Sequence, residues 1–271
     1  MPRHGSSRAN PTAVITLYDS PGVRSQTWVP NIWRIRFILN YKRLPYRTIW
    51  VEFPDVEATL RGIGAPPSSQ RSDGRPVYTL PVISDAIANV QAPIILSNAN
   101  NIAEYLDVNY PARPVFPEGS RALQTLFVHY IQEVCAKPLL PIMVPISHDR
   151  LPERTQSHFH GGGSAGRGGA RAQTPAPLPN ALPPGPQREH AWRLVQAQFD
   201  FLALVLDKNA GDGDGVVAQG RHVSYADFAL CAVLLWIEQM APHDGWARVR
   251  DWNGGRWARL WQRCQDYMEV L

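Results

Sequence analysis

Two short stretches constrain the fold of this 271-residue chain more than any others. The first, Tyr78-Thr79-Leu80-Pro81-Val82-Ile83, is an extended, β-rich segment entering a Leu-Pro-Val turn. The second runs Leu96-Ser97-Asn98-Ala99-Asn100-Asn101-Ile102-Ala103-Glu104-Tyr105-Leu106-Asp107, a strand followed by a polar helix cap and an amphipathic helix. A cis X-Pro bond lets a strand turn sharply and present its preceding N–H and C=O outward, where an extended peptide pairs with them. Taken alone, a proline at a strand start is ordinarily trans and structural, since only ~5% of such bonds are cis. Ser97-Asn98 supplies context. Either residue caps the helix, and the N–H groups at a helix N-terminus also bind a carboxylate. Asn98 offers an acceptor to a ligand ammonium. Together the stretches form the layout in which a backbone edge and a helix end hold a small peptide.

Around them the chain reads β-α-β-α-β-β-α. Residues 14–18 form a first strand, and Pro30 opens a helix at N1, where its missing N–H costs nothing. Trp33, Phe37, Ile38 and Tyr41 recur at helical spacing through Lys42. A second strand over 46–53 and a short helix over 56–63 follow, the latter stopped by Gly64 and Pro66-Pro67. Strands over 79–83 and 94–96 and a helix over 102–110 complete an α/β domain spanning 13–111, behind a polar tail at 1–12. A stiff linker at 112–119, with Pro114 and Pro117, leads to an all-α domain over 120–271. Its first helix carries Leu123, Leu126, Phe127, Tyr130 and Ile131 on one face and ends at Lys137-Pro138. Further helices are predicted over 192–206, 224–237 and 257–268. Ser224-Tyr225-Ala226-Asp227 reads as a purely structural capping box. The Gly- and Pro-rich segment 158–186 is predicted to be a disordered insert, with His158 and His160 solvated rather than bound to metal.

An apolar fraction of 44% with nine tryptophans implies a well-filled core. The net charge of +4 rests on scattered Lys and Arg, which argues against nucleic-acid binding. No run approaches a membrane span, and the N-terminus lacks an apolar signal core. Cys135, Cys231 and Cys264 have neither metal nor CxxC spacing. These features predict a cytoplasmic protein with no metal site.

The loop Ser25-Gln26-Thr27-Trp28-Val29-Pro30-Asn31 precedes the first helix. A thiol held at this helix N-terminus has its pKa lowered by the dipole and by nearby donors. Ser25, Thr27 and Asn31 can donate, whereas Val29 cannot. On these residues alone an ordinary polar loop is an equal reading.

Several motifs carry a resemblance to a known family. Trp28-Val29-Pro30-Asn31-Ile32-Trp33, Leu44-Pro45-Tyr46, Trp50-Val51-Glu52-Phe53-Pro54-Asp55, Gly64-Ala65-Pro66-Pro67 and Asp73-Gly74-Arg75 lie in the first half. Trp252-Asn253-Gly254-Gly255-Arg256-Trp257 and the Ser-x-Ala-Asp helix start lie in the second. The set resembles the glutathione transferase family, most closely its fungal-specific, etherase-related class A, over residues 14–145 and 188–271. The resemblance implies a thioredoxin-like N-terminal domain, an all-helical C-terminal domain, and glutathione as co-substrate in the cleft between them. It also implies a pocket for hydrophobic or aromatic compounds, lined by the first loop and the fourth helix, and a homodimer. Carried over residue by residue, Leu80, Pro81 and Val82 hold the cysteinyl backbone, and Ser97, Asn98 and Ala99 hold the γ-glutamyl end. Thr27 and Asn31 assist the thiolate, while Trp28, Trp33, Phe127 and Tyr130 wall the pocket.

Two departures stand against the family pattern. Val29 occupies the place of the Ser in Ser-Pro-Asn, and Asn98-Ala99 replaces an acidic residue followed by Ser. A charged hydrogen bond contributes ~1.5–3 kcal/mol against ~1 for a neutral one. Loss of the acid therefore weakens glutathione several-fold to about thirtyfold. Loss of one donor to developing charge costs on the order of a hundredfold in rate, partly offset here by the helix dipole. The expectation is a weak glutathione-dependent transferase or lyase. The alternatives are a non-catalytic, ligandin-type binder of aromatic metabolites and, with less support, a regulatory module on the same fold.

Overall fold

The computed structural model describes residues 14–22, 27–87, 92–160, 182–209, 211, 213 and 215–271. The polar tail at 1–12, Ser25 in the first loop, and residues 161–181 of the expected insert lie outside the described residues.

A strand covered on both faces is buried throughout, and β1 (Ile15–Asp19) is buried at every position, Thr16 and Asp19 included. It leads to α1 (Pro30–Lys42), with Val29 at the N-cap and Arg43 in the left-handed conformation at the C-cap. Strand β2 (Tyr46–Trp50) ends earlier than expected. Pro54 cannot donate to a strand ladder, and Phe53–Asp55 forms a 3-10 turn instead. Helix α2 (Val56–Gly62) and a small hairpin, β3 (Ser69–Gln70) with β4 (Pro76–Val77), come next. The hairpin, which the apolar pattern does not reveal, turns at Asp73-Gly74 with Gly74 at φ 80°. Strand β5 (Val82–Asp85) begins only after the cis Leu80–Pro81 bond, so the expected strand over 79–83 is displaced toward the C-terminus. Strand β6 (Ile94–Ser97) and α3 (Ala99–Asn109) close the unit. The sheet order is β2-β1-β5-β6, with β1 and β2 parallel and the other pairs antiparallel.

The second half is helical. Helix α4 (Arg121–Tyr130) does not stop at Lys137-Pro138. It passes through a π-helical turn, Ile131–Cys135, and a 3-10 turn, Lys137–Leu139, into α5 (Leu140–His148). Its buried face also differs from the expected one. Leu123 and Leu126 are 69% and 65% exposed, whereas Gln124 and Val128 are buried. The Gln124 amide accepts from the Ala226 N–H at 3.0 Å and donates to Ser120 Oγ at 2.8 Å, so a polar side chain occupies a core position fully satisfied. Helices α6 (Glu153–His160), α7 (Pro186–Leu206), α8 (Tyr225–Met240), the single turn α9 (Ala247–Val249) and α10 (Trp252–Cys264) follow. Inside α10, Asn253, Gly254 and Gly255 take φ of 50°, 65° and 76°, a left-handed break that glycine permits. The helix ends at Cys264, ahead of the expected boundary. Helix α8 starts with the Ser224/Asp227 capping box.

Helix α1 lies between the sheet and α8, with the Phe37 and Phe228 rings stacked at 5.4 Å. The C-terminal tail returns to the first unit, where Asn40 Nδ2 donates to the Tyr267 and Glu269 carbonyls at 2.7 and 2.8 Å. The architecture is a thioredoxin-like domain packed through α1 onto an all-α domain. Among the described residues, no helix is long and apolar enough to cross a membrane, and no cluster of three or more His, Cys, Asp or Glu is placed to hold a metal.

Candidate functional site

Sheet register brings the two informative stretches together. Val82 faces Tyr18 on one side and Ser97 on the other. Leu80-Pro81 and Asn98-Ala99 therefore leave the sheet side by side, at the end where β1 delivers the loop to α1. Val82 is wholly buried, with a strand on each side of it. The open main chain is one step earlier. Leu80 is half-buried, and its backbone makes no hydrogen bond among the described residues.

At the start of α3, Asn98 is exposed in the left-handed region, φ 69°, and its Oδ1 accepts from the Asn100 N–H at 2.9 Å. That bond leaves the Asn98 amide nitrogen as a donor toward solvent. The Ala99 side chain is buried, and its N–H, the first of the helix, has no partner among the described residues. Ser97 is buried, and its hydroxyl donates to the Pro66 carbonyl. The Ser97 hydroxyl thus braces the turn after α2, and what this segment offers a ligand is backbone N–H and the Asn98 side chain.

The loop into α1 is held from below. Asp19 is fully buried, and its carboxylate accepts from Arg36 Nη2 at 2.8 Å, Thr27 Oγ1 at 2.6 Å and the Ser20 N–H at 2.6 Å. Burial raises the Asp19 pKa, and the Arg36 charge and the hydrogen bonds act against it. The Thr27 hydroxyl is committed to this carboxylate and is 1% exposed, so it positions the loop. Trp33 is likewise internal: it is 1% exposed, and its indole N–H donates to the Thr27 carbonyl at 2.9 Å.

Few donors remain at the start of α1. Pro30 has no N–H, and the Ile32 and Trp33 N–H groups both donate to the Val29 carbonyl. The Asn31 N–H is the one left in the first turn among the described residues. The Asn31 side chain is exposed, and its Oδ1 accepts from Arg34 Nη2 at 2.9 Å and Gln132 Nε2 at 3.4 Å. Two donors on the oxygen fix the amide orientation and turn its NH2 outward. The Val29 side chain adds no cap hydrogen bond and no donor.

Beside this helix start lies a cavity of ≈ 340 Å³ between the two domains. Trp28, Val29 and Asn31 wall it from the first domain, and Leu140, Val233 and Trp236 from the second. Trp28 and Trp236 stack at 6.4 Å. Phe127 and Tyr130 do not line the cavity. Phe127 packs half-buried against the core, while Tyr130 donates to Gln198 Oε1 at 2.8 Å and rests on Phe201. The π-helical turn that follows α4 reaches the cavity instead, through Ile131, Gln132 and Glu133, with Ala136 just after it.

Sequence reasoning also missed Arg34, which lines the cavity though only 3% exposed. Its Nη1 donates to Asn100 Oδ1 and Tyr225 Oη, both at 3.2 Å. Burial lowers its pKa, with Tyr225 opposing. The signal in the sequence was only an arginine between the apolar residues Trp33 and Ile35, with Arg36 beside it. Cys135, in the turn beside the cavity, is buried, and burial pushes its thiol up to about 12.

The model of the glutathione S-transferase C-terminal domain matches residues 122–267, more than half of the chain. A glutathione S-transferase of Ceriporiopsis subvermispora, solved in complex with glutathione, is 33% identical. The match covers 95% of this chain and 99% of that one, with a TM-score of 0.80. Glutathione transferase GSTFuA3 from Phanerochaete chrysosporium is 30% identical over 95% of this chain and 98% of its own, with a TM-score of 0.79. The glutathione S-transferase-like protein ustS of Aspergillus flavus is 26% identical over 92% of this chain and 87% of its own length. The chain belongs to the glutathione S-transferase family.

Proposed function

We propose that the protein binds glutathione at the sheet end and brings its thiol to the start of α1, next to an aromatic co-substrate in the interdomain cavity. The observation that carries this reading is the juxtaposition of three open features at one end of the sheet. They are the unpaired Leu80 backbone before cis Pro81, the Ala99 N–H with the Asn98 amide, and the Asn31 donors beside Val29. Leu80 pairs with the cysteinyl main chain as an added strand does. The α3 N-terminus takes the γ-glutamyl carboxylate. The glutathione-bound relative supports the same ligand. The reaction is addition of the thiol to an electrophilic, hydrophobic substrate, or lysis of one, at a low rate because thiolate stabilisation falls to Asn31 and the helix dipole.

A second reading, a ligandin-type binder of aromatic metabolites, is favoured by the commitment of the Thr27 hydroxyl to Asp19. Calorimetric titration with glutathione, paired with conjugation of 1-chloro-2,4-dinitrobenzene, separates the two. The enzyme reading expects saturable glutathione binding and measurable turnover. Micromolar binding of an aromatic ligand with no glutathione uptake would sink it.

A further inference from the structure

Among the described residues, Arg34 is a buried cation without a counter-ion. Its Nη atoms reach only neutral groups, namely Asn31, Asn100 and Tyr225, and its Nε has no partner among the described residues. Two carboxylates lie nearby, and neither bridges to it. Glu133 sits exposed on the rim with Lys137 at 3.6 Å, and Glu104 acts on Tyr225 at longer range. Removing a guanidinium from water without a partner charge is unfavourable unless something else supplies the charge. The Trp28 indole N–H is a second buried group on the cavity wall without a partner among the described residues. Both unmet groups are donors, and one belongs to a cation. An apolar wall of Trp28, Trp236, Val233 and Leu140 surrounds them.

We propose that the interdomain cavity takes a planar aromatic acid, with Arg34 as the counter-ion of its carboxylate and the Trp28–Trp236 pair as the wall for its ring. The proposal deepens the reading of this cavity as the co-substrate pocket and rests on it. The neutral cage holds the guanidinium in place without neutralising it: Asn100 Oδ1 accepts from both Arg34 and Tyr225, the latter at 2.6 Å. The ligand then completes an ion pair that the protein leaves half-made, and a neutral aromatic of the same shape does not.

The test is titration of the full-length protein with 1-naphthoate and with its methyl ester, by calorimetry, with and without saturating glutathione. A charge-assisted contact of this kind makes the acid about tenfold to a hundredfold tighter than the ester. Arg34→Met should bring the acid down to the ester while leaving the ester within about twofold, and Arg34→Lys should retain part of the preference. Equal affinity of acid and ester for the wild type overturns the proposal. So does an acid preference that survives in folded Arg34→Met, or competition between 1-naphthoate and glutathione, which would place the acid in the peptide subsite. If Arg34→Met does not fold, the wild-type comparison decides. A protein that prefers the acid but takes up no glutathione would sink the transferase reading alone.

Discussion

At the scale of single residues, Val29 decides most. It stands at the N-cap of α1 and lines the cavity, and its side chain contributes neither a cap bond nor a donor. Val29→Ser supplies both. The hydroxyl accepts from the Asn31 N–H left open in the first turn, adding about 0.5–2 kcal/mol of stability, and donates to a thiolate at the same position. The variant should melt higher and conjugate 1-chloro-2,4-dinitrobenzene at least about tenfold faster, part of the ~10²–10³ that one such donor is worth elsewhere. A rate equal to the wild type places Val29 away from the thiol. Val29 and Asn31 were legible in the sequence because both belong to a contiguous motif. The role of Thr27 was not, since it depends on Asp19 and Arg36, which the sheet and α1 bring beneath the loop. Arg34 escaped for the same reason: its partners Asn100 and Tyr225 are remote in the chain.

Helices and strands follow the apolar pattern where burial is one-sided or complete, as in β1, α1 and α8. The pattern misleads on α4, whose Leu123 and Leu126 face outward while Gln124 turns in to serve the N-terminus of α8. The start of α8 makes a prediction of its own. Asp227 accepts from the Ser224 N–H and Oγ at 2.8 and 2.7 Å and from the Ala218 N–H at 2.7 Å. Complete burial nonetheless pushes its carboxyl up to about 6, with the hydrogen bonds opposing. A carboxyl whose folded pKa is raised contributes stability that is present below its unfolded value, near 4, and lost as pH rises through 6. Stability measured by denaturant against an Asp227→Asn variant should therefore fall in relative terms by roughly 2–4 kcal/mol between pH 4 and pH 7. A difference that grows with pH would mean that the hydrogen bonds outweigh desolvation.

On the scale of the whole molecule, the two domains share one core through α1 and α8, and the Arg34–Asn100–Tyr225 cluster crosses their boundary beside the cavity. The fold was legible because element order and boundary residues are local. The cavity was legible only in part, because its walls come from three stretches far apart in sequence, 28–34, 131–140 and 229–236, and of the four expected aromatic residues only Trp28 reaches it. On the proposed reading, the Leu80 main chain and the start of α3 hold the peptide, and thiol activation falls to Asn31 and a helix start. The most direct check is the pH titration of the thiolate absorbance of glutathione bound to the wild-type protein. A thiol held but weakly activated should titrate within about one unit of its ordinary value near 8.5. A midpoint below about pH 7 would contradict the account, because the site would then acidify the thiol fully without a hydroxyl at position 29.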